Sequence, residues 1–138
     1  MIFIYTDGAS RGNGGESAAA YIICNGKNEM FSNVRHIGLA TNNMAEYMAV
    51  HDGIEHCYLN SDIFNDPEGF TVISDSLLVM NQLKGEWRIK NKELYKMNQN
   101  VQFFIDHMDF PFKFVWKSRE HTVLKRCDRM NNDCLNNL

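Results

Sequence analysis

The chain has 138 residues, 44% of them hydrophobic and 22% charged, with two prolines. That suits one self-sufficient domain and excludes a disordered or collagen-like chain. The longest apolar runs, such as Ala18–Cys24, are too short to span a bilayer, and five apolar residues without a basic lead at the N-terminus do not make a signal peptide. The net charge of −3 divides unevenly: Met1–Leu83 carries −7 and Lys84–Arg129 carries +5. An ordinary solvated surface gives such numbers, and so does a cation-binding region beside a polyanion-binding face. Cys24, Cys57, Cys127 and Cys134 have neither C-x-x-C nor zinc-ligand spacing and read as reduced thiols of a cytoplasmic protein.

In chain order, Ile2–Thr6 is a β-rich run that ends at Asp7-Gly8, followed by the glycine-rich Gly12–Gly15. Ala18–Cys24 reads as a second strand, and the hairpin signal Asn25-Gly26 leads into a third at about Glu29–His36. From Asn43 to about Asn60 the apolar residues recur at helical spacing, with Asn43-x-x-Glu46 as a capping box. Phe70–Ser74 is a buried strand, and Asp75 is placed to cap a short helix through Leu83. Leu94, Met97, Val101, Phe104 and Met108 mark one face of a further helix. Phe112–Trp116 is the last strand and about Leu124–Leu135 the last helix, with an Asn-rich end expected to fray. The order β-β-β-α-β-α-α-β-α predicts an α/β fold: a five-stranded mixed sheet, three antiparallel hairpin-linked strands then parallel ones, covered by helices on both faces. One domain over residues 1–138 is expected.

Four acids, Asp7, Glu46, Asp75 and Asp128, fall where strands end or helices begin. Each alone has a local explanation as turn, capping box, N-cap or first-turn charge. Together they mean more. The carboxyl ends of parallel strands lie at one edge of an α/β sheet, so Asp7 and Asp75 are expected there, with Glu46 brought alongside by its helix. Clustered carboxylates repel unless cations neutralise them, and oxygen-only ligands suit Mg²⁺ or Mn²⁺ rather than zinc. Two such ions about 3.5–4 Å apart clamp the attacking and leaving oxygens of a phosphodiester. The chemistry indicated is metal-dependent phosphoryl transfer on a nucleic acid.

The same residues carry a resemblance. Ile4-Tyr5-Thr6-Asp7-Gly8-Ala9-Ser10-Arg11-Gly12-Asn13-Gly14-Gly15 resembles the opening motif of type 1 ribonuclease H, and Thr41-Asn42-Asn43-Met44-Ala45-Glu46-Tyr47 the second. Ile73-Ser74-Asp75-Ser76 is similar to the third, and Arg119-Glu120-His121 with Arg126-Cys127-Asp128 to the fourth. The resemblance implies a compact member, lacking the family's basic protrusion, that hydrolyses the RNA strand of RNA–DNA hybrids to 5′-phosphate and 3′-hydroxyl ends. It implies two Mg²⁺ ions (or Mn²⁺) held by Asp7, Glu46, Asp75 and Asp128, and His121 as the loop histidine assisting protonation or product departure. It further implies that Asn13, Asn42 and the backbone at Gly8, Ser10 and Arg11 contact the RNA strand. Thr41 and Asn43 match positions that hold a DNA phosphate. Trp87, among Lys84, Arg88 and Lys90, packs on deoxyribose or anchors the loop from beneath. A monomer without an obligate protein partner is expected.

Departures from the pattern are Gly14 in place of a common proline, Leu77 in place of a minor-groove glutamine, and a seven-residue step from His121 to Asp128. None removes a carboxylate. The alternatives are a non-catalytic module of the same fold that holds hybrid or double-stranded RNA, and a relative acting on DNA junctions. The first two motifs argue against the latter.

Overall fold

The computed structural model describes residues Met1–Leu138. Three strands come first, β1 (Ile2–Ser10), β2 (Glu16–Asn25) and β3 (Asn28–Leu39). They are followed by α1 (Asn42–Leu59), β4 (Phe70–Ser74), α2 (Leu77–Leu83), α3 (Lys92–Asp106), β5 (Phe112–Trp116) and α4 (Thr122–Asn136). The five strands form one mixed sheet in the order β3-β2-β1-β4-β5. The β1–β2 and β2–β3 pairs are antiparallel, and the β1–β4 and β4–β5 pairs are parallel. This is the architecture expected from the order of elements.

Alternation along β1 divides its side chains between two cores. Ile2 and Ile4 face α1 and cluster with Tyr21, Ile23, Tyr47, Val50 and Ile54. Phe3 and Tyr5 face the other way, against Ala20, Ile22, Cys24 and Cys127 of α4. Helices therefore cover both faces. No helix is long and apolar enough to cross a membrane.

The local differences from expectation concern caps and ends. The strands run further than their apolar cores, so Asp7-Gly8 lies inside β1 rather than in a turn. Thr41, not Asn43, caps α1, its hydroxyl accepting from the Met44 N–H at 3.2 Å; the Asn43–Glu46 capping box does not form. Ser76, not Asp75, caps α2, accepting from the Val79 N–H at 3.2 Å. The Asn-rich end does not fray before Asn136, because Asn131 and Leu135 are buried against the sheet. Met108 falls beyond the end of α3.

Two polar ties join the layers. The buried Tyr47 hydroxyl donates to Gln82 Oε1 at 2.7 Å and accepts from Asn98 Nδ2 at 3.3 Å, linking α1, α2 and α3. On the opposite side of α1, Arg35 of β3 grips Asp52 with two hydrogen bonds, 2.7 and 3.1 Å, while His51 Nδ1 lies 3.0 Å from the same carboxylate. Burial pushes the Asp52 pKa up, but the His51 and Arg35 bonds outweigh it and hold the group below the usual carboxylate value.

Each tie gives an expected outcome. Tyr47→Phe leaves Gln82 Oε1 buried without its donor, so it should lower stability by about 1–3 kcal/mol, read as a lower urea midpoint at unchanged slope. Native Asp52, with its lowered pKa, binds fewer protons than it does unfolded. Its stabilisation is thus present above the unfolded value near ~3.9 and lost as pH falls through the native value. Asp52→Asn should lower the melting temperature at neutral pH, and the gap from the parent chain should close as pH falls to about 3.

Candidate active site

The carboxyl ends of β1 and β4 meet at one edge of the sheet. Their parallel register pairs Tyr5 with Ile73, and two residues further on lie Asp7, still within β1, and Asp75, just past the end of β4. The Thr6 hydroxyl locks that register by donating to the Ile73 carbonyl at 3.1 Å, wholly buried. The backbone at Asp75 is held in turn by Trp116 Nε1, which donates to its carbonyl at 3.0 Å. With Ser76 serving as the helix cap, the Asp75 carboxylate is left available.

Glu46 arrives from α1 by a close approach that only glycine permits. A Cβ on Gly8 would stand 2.1 Å from the Ala45 carbonyl carbon and 2.3 Å from the Glu46 nitrogen. Bare backbone at Gly8 lets the first turn of α1 press against β1, and the Gly8 N–H donates to Glu46 Oε1. Asp7, Glu46 and Asp75 each offer a carboxylate oxygen, and these oxygens all lie within 4.8 Å of one another.

The electrostatic consequence is strong. Burial first, then the neighbouring Asp75, pushes the Asp7 pKa up to about 7, against an opposing hydrogen bond from Asn131. Burial, with Asp7 and Asp75 adding to it, likewise holds Glu46 well above its usual value despite the Gly8 N–H. Three mutually repelling oxygen donors with no cationic side chain among them suit a hard divalent cation. Arg119 is the nearest guanidinium, its Nε 3.6 Å from Asp75 Oδ2 on a highly exposed side chain.

The cluster forms the floor of a cleft of about 730 Å³ that Asp128 and Asn132 of α4 also line. Asn132 Nδ2 donates to Asp128 Oδ2 at 3.4 Å. Ser10 and Asn42 line one side, and Arg119, Lys125 and Arg129 supply positive charge on the other. A cleft so polar suits an anionic polymer rather than an apolar small molecule.

The remaining residues predicted from sequence are placed as follows. Asn13 Oδ1 accepts from the Asn42 N–H at 2.8 Å, bracing the β1–β2 turn against the start of α1. Ser10 Oγ donates to the Ala40 carbonyl and accepts from the Gly14 N–H, while Arg11 Nη2 reaches Asn136 Oδ1 at 2.8 Å. The Thr41 side chain is committed to its cap. Asn43 is exposed in the first turn of α1. Trp87 is 46% exposed, so it is not an anchor beneath its loop.

His121 is not brought into the cleft lining. It caps α4, its Nδ1 accepting from the Val123 N–H at 3.2 Å and its ring stacked on Tyr5 with centroids 5.3 Å apart. The loop group that does reach the cluster is Arg119, two residues earlier. Sequence reasoning assigned no role to Arg119, Lys125, Arg129 or Asn131. For Asn131 a signal existed, since it falls at a helical spacing otherwise filled by Leu124, Cys127 and Leu135.

Comparison with known proteins agrees with this geometry. The RNase H family profile matches residues 1–128. Ribonuclease HI of Halobacterium salinarum is 37% identical over 110 residues, covering 78% of this chain and 52% of that protein. The bifunctional protein Rv2228c of Mycobacterium tuberculosis is 26% identical over 136 residues, covering 97% of this chain and 35% of that protein. The chain thus spans only a third to a half of the length of these curated relatives. Among solved structures, LC11-RNase H1 in complex with an RNA/DNA hybrid superposes with a TM-score of 0.91 at 28% identity, covering 99% of this chain and 98% of that one. In sequence and in fold, therefore, the chain belongs to the ribonuclease H family, as a type 1 member.

Proposed function

We propose that the chain is an endonuclease that hydrolyses the RNA strand of RNA–DNA hybrids, with Asp7, Glu46, Asp75 and Asp128 holding two Mg²⁺ ions (or Mn²⁺) and the products ending in 5′-phosphate and 3′-hydroxyl. The observation that carries this reading is the convergence of the Asp7, Glu46 and Asp75 carboxylates within 4.8 Å at the sheet edge of a type 1 ribonuclease H fold. LC11-RNase H1, of the same fold, has been solved with an RNA/DNA hybrid, which supports that substrate for the cleft described above.

The donor set fits the ions: every ligand offered is a carboxylate oxygen, and Asp7 and Glu46, whose pKa values are raised by burial first and by neighbouring carboxylates second, would regain as carboxylates the charge partner that burial denies them. When bound, such ions polarise the scissile phosphate and stabilise charge that develops on its oxygens. The protein's own residues do the rest. Asp7 stands inside β1, Glu46 in α1 and Asp75 directly after β4, so their positions are set by the backbone of these elements. Asp128 faces them from α4 and closes the cleft on the far side. Arg119, Lys125 and Arg129 draw phosphates along the rim. Ser10, Asn42 and the backbone from Gly8 to Arg11 lie where the 2′-hydroxyls of an RNA strand are read, the feature that separates RNA from DNA. Asn13 acts there by bracing Asn42 rather than by reaching into the cleft. Asn43, exposed in the first turn of α1, meets a phosphate of the complementary strand, as helix N-termini favour anions. Trp87, flanked by Lys84, Arg88 and Lys90, extends that face toward the DNA strand. His121, which caps α4 beside Tyr5, assists protonation or product departure from the loop that also carries Arg119.

Cleavage of a labelled hybrid in Mg²⁺, in Mn²⁺ and in EDTA tests the reading, with RNA duplex, DNA duplex and single-stranded RNA as controls. Metal-dependent cutting of RNA in the hybrid alone is expected. Asp7→Asn, Glu46→Gln and Asp75→Asn should each lower the rate by roughly three orders of magnitude or more while melting no lower than the parent, because each relieves repulsion. Hybrid binding without cutting in either metal would replace this reading with a non-catalytic module.

A second outcome concerns the cation directly. With Asp7 raised to about 7, the native chain binds more protons than the unfolded one between about pH 4 and pH 7, so without cation its stability falls as pH rises through that window. Added Mg²⁺ should therefore raise the melting temperature strongly at about pH 8 and little at about pH 5. Asp7→Asn should remove most of both dependences, which differential scanning calorimetry reads directly.

A further inference from the structure

The face that α4 buries against the sheet reads Leu124, Cys127, Asn131 and Leu135. An amide stands where that spacing asks for an apolar residue. Asn131 is 0% exposed, and its Nδ2 donates to two atoms of one residue: the Asp7 main-chain carbonyl at 2.9 Å and Asp7 Oδ2 at 3.1 Å. The orientation of the amide is unambiguous. Turned over, Oδ1 would face the Asp7 carbonyl and carboxylate oxygens, acceptor against acceptor.

In the orientation adopted, Asn131 Oδ1 is buried with no hydrogen-bond partner. A buried acceptor without a donor is destabilising, and an apolar side chain of similar shape would avoid that cost. Packing alone therefore argues against asparagine here. What the amide gains lies on its nitrogen side, in a charge-assisted bond to Asp7. Asn131 is also one helical turn beyond Asp128, so the same bond links the carboxylate on β1 to the helix that carries the fourth acid.

Resting on the reading of Asp7 as a cation ligand, we propose that Asn131 is a positioning residue: it fixes the direction of the Asp7 carboxylate and ties it to α4, so that Asp7 and Asp128 keep the spacing a divalent-cation site requires. Partners that orient metal ligands in this way commonly affect affinity or activity by about 10–100-fold when removed. A strut that merely joined β1 to α4 would affect stability instead.

Asn131→Leu separates the two, because it deletes the donor and the orphaned oxygen while keeping bulk. Asn131→Ala is its companion. Thermal unfolding without cation, Mn²⁺ binding by calorimetry and steady-state cleavage of an RNA–DNA hybrid are measured on the full chain. The leucine variant should melt at or above the wild-type temperature, bind Mn²⁺ about tenfold or more weakly, and lose a similar factor in kcat at unchanged KM for the hybrid. Wild-type Mn²⁺ affinity and kcat in that variant, whatever its melting temperature, overturn the proposal. Should leucine not be accommodated, the alanine variant decides on the same two readouts below its own melting temperature. Failure of the underlying reading looks different. Either no Mn²⁺ uptake by the wild type, or uptake undiminished in Asp75→Asn, overturns the cation site itself and this proposal with it.

Discussion

Carboxylate oxygens of Asp7, Glu46 and Asp75 lie within 4.8 Å of one another, and charges that close in a partly buried place repel strongly. The rest of the molecule is arranged so that they cannot separate. Asp7 and Asp75 are fixed by the register of two parallel strands, which the buried Thr6–Ile73 hydrogen bond locks. Glu46 is fixed by the contact of α1 with β1 at Gly8, where any side chain would overlap the Ala45 carbonyl. Asp7 and Glu46 stand within regular elements, and Asp75 follows β4 directly with its carbonyl held by Trp116. Backbone supplies the constraint and side chains supply the repulsion, a division that keeps the cluster intact before any cation is bound.

The other half of the cleft is held by the length of α4. The helix packs along β1 through Cys127, whose thiol contacts the Tyr5 carbonyl, and through Asn131, which contacts Asp7. Leu135 buries the next turn, and Asn136 at the end receives Arg11 from the turn after β1. A helix ending at Asp128 would have no such anchorage, and the acid would sit on a frayed turn. The run of asparagines that gives the C-terminal segment a disordered appearance is thus part of the frame: Asn131 faces inward, while Asn132 reaches back to Asp128.

Much of this is legible in the sequence. The strands Phe70–Ser74 and Phe112–Trp116 are read correctly to the residue because each is a short stretch rich in aromatic and β-branched residues between polar or turn-forming neighbours, although only the first is buried throughout. The topology follows from element order. The expectation that all four acids sit at element ends is met only in part: Glu46 lies early in α1 and Asp75 directly after β4, but Asp7 lies inside β1 and Asp128 in the middle of α4. Cap assignment is less legible. Asn43 and Asp75 are the better local candidates for two helix starts, yet Thr41 and Ser76 serve. The cause is the same in both cases: Glu46 is drawn to the Gly8 N–H and Asp75 faces Asp7 across the sheet edge. These contacts join residues 38 and 68 positions apart, beyond the reach of a rule that looks three residues ahead. The local setting of His121 is hidden for a related reason. Motif order places a histidine near the fourth acid, but the turn into α4 needs a cap, and the imidazole fills it against Tyr5. Asn131 is hidden by composition, since burial of Leu135 is a tertiary fact that a polar tail does not advertise.

The uneven charge of the chain takes on meaning in this frame. Met1–Leu83 carries −7 and contributes Asp7, Glu46 and Asp75; Lys84–Arg129 carries +5 and contributes Arg119, Lys125 and Arg129. The sheet order β3-β2-β1-β4-β5 places the ends of β1 and β4 centrally, and α4, following β5, crosses back over β1 and β2. That return path is what lays the basic segment beside the acidic cluster, with Asp128 and Glu120 as the carboxylates it brings to the cleft, the latter paired with Lys125. A polyanion approaching the cleft meets cations at the rim first, while the acids on the floor repel it until they are themselves neutralised. Under the proposed function, substrate and divalent cation are therefore coupled by charge as well as by chemistry: the cation that completes the site also removes the repulsion that keeps the phosphate out. Asn131 sits where the two halves touch, and its bond to Asp7 is the point at which the geometry of the acidic half is passed to the helix of the basic one.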